Sequence, residues 1–172
     1  MSKEAGGVRN VSVGSVAYDN RIKEVTAMRQ SGQYSSVTMP PNGTGWVAIE
    51  KSPKRHSAEE IEAAQHMAVR GYKVTLKDEA GHIVTEDGRL FKATFEQRTP
   101  TKGGAKVVVK ALEHAKKKGG IQVAVIYDRN GLFRRRDIEA GVRSYENLNA
   151  YRFERIIVIG KSGRVHVHKH DT

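Results

Sequence analysis

Glu60, Asp87, Glu96 and Arg98 are the residues whose types and spacing could do chemistry together. Three carboxylates can hold a divalent ion whose bound water attacks a phosphodiester, and a cation beside them offsets charge on the attacked phosphate. In the segment Leu90 to Arg98, Phe91, Ala93 and Phe95 alternate with Lys92, Thr94, Glu96 and Arg98. That period of two predicts a strand with Glu96 and Arg98 on one face, as an E-x-R pair. Glu60, with Glu62 beside it, would come from a helix, and Asp87 from a turn between strands.

Each of these residues also has a local role available. Ser57 followed by Glu60 matches a capping box. Asp87-Gly88 is a favoured two-residue hairpin turn. Glu96 and Arg98 could form a solvated strand face with a weak ion pair.

The elements that must position them can be read from periodicity. Ser57 opens a helix whose buried stripe is Ile61, Ala64, Met67 and Ala68, and Gly71 ends it. Tyr72 to Leu76 is a strand, and Ile83-Val84 with Leu90 to Phe95 form a hairpin. Ala105 to Lys118 is a second helix with Val108, Ala111, Leu112 and Ala115 inward, stopped by Gly119-Gly120. Ile121 to Tyr127 and Ile156 to Ile159 are apolar enough for central strands buried on both faces. Asp137 to Leu148 is a third helix, and Val165 to His168 is the last strand. The expected fold class is therefore α/β, a mixed central sheet flanked by helices, in the order αβββαβαββ. Residues 1–56 read as an irregular N-terminal arm or linker ahead of an α/β domain over 57–172. Within that arm, Val11 to Tyr18 and Trp46 to Ile49 suggest strands and Ile22 to Met28 a short helix.

Bulk composition narrows the partners. The 172 residues hold 30 Lys+Arg against 19 Asp+Glu, a formal charge of +11, which concentrates polyanions at the surface and makes nucleic acid the default partner. An acidic membrane or an acidic protein inhibitor is the other candidate class. There is no cysteine, so disulfides and thiolate catalysis are excluded. No apolar run approaches the roughly 18 residues of a membrane span, and the first seven residues lack a signal-peptide core. The expected location is the cytoplasm, or a target cell reached as part of a larger system.

Two basic clusters could follow a phosphate backbone. Lys102-Gly103-Gly104-Ala105-Lys106 enters the second helix, where backbone N–H groups could hold a phosphate. Arg134, Arg135 and Arg136, read as a loop, complement Lys116, Lys117 and Lys118 at the end of that helix. His166, His168 and His170 alternate along the last strand and are expected to face solvent from a sheet edge. His114 could approach the acidic strand from the helix.

The order of elements, with the opening Glu60-Ile61-Glu62-Ala63-Ala64…Met67-Ala68…Gly71-Tyr72-Lys73-Val74 and the later run Phe95-Glu96-Gln97-Arg98-Thr99-Pro100, resembles the core of the PD-(D/E)xK nucleases. More narrowly, residues 57 to 170 are similar to the C-terminal tRNA-nuclease domains of contact-dependent inhibition (CdiA-type) and polymorphic toxins. The resemblance implies a restriction-endonuclease-like core, cleavage of RNA phosphodiesters, and Mg²⁺ or another divalent ion held by Glu60, Asp87 and Glu96. It also implies an immunity protein as partner. The family's lysine falls at Arg98, which carries charge but cannot serve as a base. A lysine displaced to Lys92 or Lys106 is one alternative, and Asp78, Glu79 or Glu86 could replace Asp87. Two other functions stand beside this one: a metal-independent, barnase-like ribonuclease toxin, and a catalytically degenerate basic module that binds nucleic acid.

Overall fold

The computed structural model describes residues 2–4, 15–41, 44–52, 55–77, 81–86 and 90–169. In chain order its elements are β1 (Ser2–Glu4), α1 (Val16–Gln30), β2 (Tyr34–Thr38), β3 (Trp46–Glu50), α2 (Ala58–Val69), β4 (Lys73–Leu76), β5 (Gly81–Glu86), β6 (Leu90–Arg98), α3 (Ala105–Lys117), β7 (Val123–Tyr127), α4 (Arg135–Leu148), β8 (Arg155–Ile159) and β9 (Val165–Lys169). This is a mixed α/β chain. It divides into two compact units, one from Gly6 to Ala93 and one from Thr94 to Thr172 with Met1–Ala5, so the division falls within β6. The expected boundary at residue 56/57 lies inside the first of them.

In the Gly6–Ala93 unit, β3 pairs antiparallel with β2 and parallel with β4, and β4 pairs antiparallel with β5. Regular structure thus occupies much of the segment expected to be an irregular arm. Its core is Val25, Val37, Trp46 and Ala48, with Met28, Tyr34 and Met39 packed against it. Ser15 caps α1 by accepting the Tyr18 N–H at 3.1 Å, which starts the helix well before the expected Ile22. α2 begins at its Ser57 cap, as the capping box predicts, and buries Ala63, Ala64, Met67 and Ala68. Ile61, expected in that stripe, is only half-buried, and Ala63 takes its place. A Cβ at Gly45 would lie 2.3 Å from the Tyr72 carbonyl oxygen, so β3 can enter beside the end of α2 only without a side chain.

In the Thr94–Thr172 unit, β6, β7 and β8 run parallel, β9 is antiparallel to β8, and β1 is antiparallel to β9. Every residue of β7 and β8 is buried, as the apolar runs Val123–Tyr127 and 156–159 require, with Arg155 buried at the start of β8. α3 buries Val108, Ala111, Leu112 and Ala115, and α4 buries Ile138, Gly141, Val142 and Tyr145. The two helices meet where Gly141 faces Val108. Two expectations change here. β9 is not an exposed edge: β1 covers it, Lys3 opposite His168, and His168 is buried. Arg135 and Arg136 are the first residues of α4 and Arg134 is its N-cap, because Asp137 Oδ2 accepts the Arg134 N–H at 3.0 Å and closes the first turn, so the helix starts two residues before the expected Asp137.

Candidate active site

β6 supplies the central carboxylate. Ala93 and Phe95 are buried, so the alternating side chains Glu96 and Arg98 take the other face. Glu96 is 12% exposed and Arg98 is exposed. From α3 comes His114 and from its C-cap, one turn on, Lys118, at helical spacing that puts both on one face. Lys118 Nζ lies 3.2 Å from Glu96 Oε1 and His114 Nε2 lies 3.9 Å from the same oxygen. Arg98 acts on His114 electrostatically. The result is one partly shielded carboxylate among an ammonium, an imidazole and a guanidinium. Gln97 Nε2 donates to Thr99 Oγ1 at 2.6 Å and fixes the exit of the strand just beyond Arg98.

The imidazole is held below its ordinary pKa of 6.5 by burial first and by the Arg98 guanidinium second, with Glu96 opposing both and Lys118 and Lys117 adding to the depression. His114 is therefore a neutral proton acceptor at pH 7. Its folded pKa lies below the unfolded one, so between the two the unfolded chain binds more protons and stability rises with pH. The contribution is present above 6.5 and is lost as pH falls through the folded value. Because the ring is 39% exposed, the effect on stability is small.

Glu60 has local partners. Its N–H donates to Ser57 Oγ at 3.2 Å, and its Oε2 lies 2.8 Å from Nδ1 of the buried His56. It belongs to the Gly6–Ala93 unit, whereas Glu96 and Arg98 belong to the other. Asp87 lies outside the described residues, as do Asp78, Glu79 and His170, and nothing is described of the side chains of Glu86 and Lys92. Among the described residues no three His, Cys, Asp or Glu side chains converge on a metal position. The donor chemistry is nonetheless of the right kind. Lys118 and His114 both approach Glu96 through Oε1, and carboxylate oxygens are the hard donors Mg²⁺ takes, one or two being enough when water and substrate complete the shell.

The seven basic residues expected to contact nucleic acid, Lys102, Lys106, Lys116, Lys117, Arg134, Arg135 and Arg136, are all exposed. Lys116 Nζ bonds Asn149 Oδ1 at 2.9 Å and Arg135 Nε bonds Glu139 at 3.1 Å. Beside Arg135 a cavity of about 190 Å³ opens between α4, β8 and β9, walled by Phe133, Ile138 and Val158. Asp128 at its edge is committed to the loop, accepting the Leu132 and Phe133 N–H groups at 2.7 and 3.1 Å.

Lys118 is the residue that sequence reasoning placed elsewhere. It was grouped with a surface run, and the lysine partner of Glu96 was sought at Lys92 or Lys106. The available signal was the i, i+4 spacing of His114 and Lys118 at the end of a helix preceding a buried strand.

No family model matches the chain, and no curated protein does. Among solved structures, a chain of the CdiA-CT/CdiI toxin and immunity complex from Burkholderia pseudomallei is similar to this one at 17% identity and a TM-score of 0.49, over 71% of this chain and 98% of that one. A likeness of that size transfers neither activity nor partner.

Proposed function

We propose that this chain is a toxin-type nuclease that cleaves RNA phosphodiesters, tRNA foremost, with Glu96, Arg98, His114 and Lys118 at its centre. The observation that carries the reading is the Glu96 carboxylate held 3.2 Å from Lys118 beside a neutral imidazole and a guanidinium, in a chain of charge +11. Lys118 and Arg98 would meet the phosphate oxygens and stabilise the charge that builds on them, and Glu96 would hold both cations in register. The proton of the attacking oxygen would pass to His114 as the bond to phosphorus forms and the ester bond to the leaving oxygen breaks. Glu96 would lend a carboxylate oxygen to Mg²⁺, which when bound supplies a nucleophilic water. The exposed basic residues of α3 and α4 would follow the strand. The restriction-endonuclease-like core, delivery into a target cell, and neutralisation by an acidic immunity protein belong to the same proposal.

His114 also favours a second reading, metal-independent cleavage. There the imidazole takes the proton of the ribose 2′-OH, the 2′ oxygen attacks phosphorus, and the 5′ oxygen leaves with a proton drawn from solvent water, giving a 2′,3′-cyclic phosphate. One experiment separates the readings: purified protein incubated with total RNA and with plasmid DNA, in Mg²⁺ and in EDTA. Cleavage of RNA that EDTA abolishes is the expected result. EDTA-resistant cleavage ending in cyclic phosphate selects the second reading. Salt-sensitive binding without cleavage under any condition marks a non-catalytic module and contradicts both. The rate is expected to fall toward acid with a midpoint below 6.5, where His114 takes up its proton, and His114→Gln is expected to flatten that limb of the pH–rate profile.

A further inference from the structure

Arg21, in the Gly6–Ala93 unit, is a charge without a counter-charge among the described residues. It is 4% exposed. Its Nη1 donates to the Pro40 carbonyl at 3.3 Å and its guanidinium lies 5.2 Å from the centroid of the Tyr18 ring. Its Nε is buried with no acceptor among the described residues, and no carboxylate among them lies within ion-pair distance. Burying an ionised group is costly unless an opposite charge and hydrogen-bond acceptors meet it. A carbonyl and an aromatic face leave the buried Nε–H of this guanidinium without an acceptor among the described residues.

The same side chain lines a cavity of about 380 Å³. Asn20 and Thr44 offer polar groups there, while Val16, Ala17 and Val84 form an apolar wall. Lys73 also lines it, held by Glu24 at 2.7 Å. Glu24, the one acid among the described lining residues, is thus already engaged by the lysine, and those residues keep the positive charge of Arg21. The space exceeds what one phosphate ion fills, and the apolar wall suits a sugar.

We infer that this cavity binds a phosphodiester of the RNA strand, with Arg21 as its anion-holding residue. The inference rests on the proposed reading for its ligand, and places a contact on the unit that lacks the Glu96 cluster. A bound phosphate supplies the acceptors and the negative charge that Arg21 lacks. Glu24 then has a defined effect: it competes for Lys73 and repels the ligand.

The test uses the full chain carrying Glu96→Gln to suppress turnover, with a fluorescent RNA oligonucleotide titrated at several salt concentrations. Arg21→Gln is expected to weaken binding about tenfold and to reduce the slope of log affinity against log salt by about one. Glu24→Gln, at a half-exposed side chain, is expected to tighten binding about threefold. Inorganic phosphate is expected to raise the Tm of the parent, relative to chloride at equal ionic strength, and not that of Arg21→Gln. Unchanged affinity and slope in both variants overturn the inference. If Arg21→Gln fails to fold, Glu24→Gln decides alone, tighter binding supporting the site and unchanged binding sinking it. Stabilisation by phosphate without Arg21-dependent RNA affinity overturns the RNA assignment and points to an acidic protein side chain as the occupant. Arg21-dependent binding in a wild-type chain that never cleaves keeps this site and removes the nuclease, whereas cleavage with indifferent Arg21 and Glu24 variants does the reverse.

Discussion

Glu96→Gln is expected to lower single-turnover RNA cleavage by about 10²–10³-fold while leaving RNA affinity equal or slightly higher. The amide keeps the shape of the side chain and removes its charge. Lys118, 3.2 Å away, then loses the anion that holds it beside His114, and a divalent ion loses its donor on β6. Affinity is expected to hold because one negative charge leaves a surface that attracts polyanions. Folding is affected little: Lys118 is 43% exposed, and a pair so open to solvent contributes about 1 kcal/mol or less. Rate and stability are therefore separable, and a loss of rate in a chain with unchanged Tm reports on chemistry.

Gly141→Ala is expected to destabilise the contact between α3 and α4. A Cβ there would lie 2.5 Å from Val108 Cβ, 2.7 Å from its Cγ1 and 2.8 Å from the Ala105 carbonyl oxygen. None of these is the far end of a flexible side chain, so α3 and α4 must move apart. Overpacking of this kind costs about 3 kcal/mol, and the better helix propensity of alanine returns about 1. A net loss of about 2 kcal/mol corresponds to a fall in Tm of roughly 4–8 °C for a chain of this size. Gly120→Ala provides the comparison. Its φ is +68°, but nothing lies within 4 Å, so only the backbone term of about 1 kcal/mol is expected. Thermal unfolding of the two variants beside the parent checks both values.

Much of the Thr94–Thr172 unit could be read in advance because its signals are local and redundant. β7 and β8 are continuous apolar runs, α3 carries a clear inward stripe, and Gly119 and Gly120 follow it at positive φ. The same holds for α2, where Ser57 and Glu60 mark the start and Gly71, at φ +101°, follows the end. α1 was harder. Its buried residues are Val25 and an arginine, so no apolar stripe announces it, and the start rests on a single serine cap. β2 was hidden because two of its five residues are serines and only Val37 is buried.

The candidate site divides along the same line. That Glu96 and Arg98 share a face follows from strand periodicity alone. That Lys118 closes on Glu96 depends on where α3 ends beside β6, which is tertiary. The partner of Glu60 was also out of reach: the capping box was legible, but not that His56, four residues earlier, would be buried against its carboxylate. The histidines of β9 looked like an exposed edge because its pairing partner, β1, lies at the other end of the chain.

The most direct measurement is a double-mutant cycle on the cleavage rate, comparing Glu96→Gln, Lys118→Met and the combination under single-turnover conditions with saturating protein. If the two side chains work as one unit, the double variant is expected to be no slower than the worse single variant. Losses that multiply, or single variants that cleave as fast as the parent, would contradict a reaction centred on the Glu96 carboxylate.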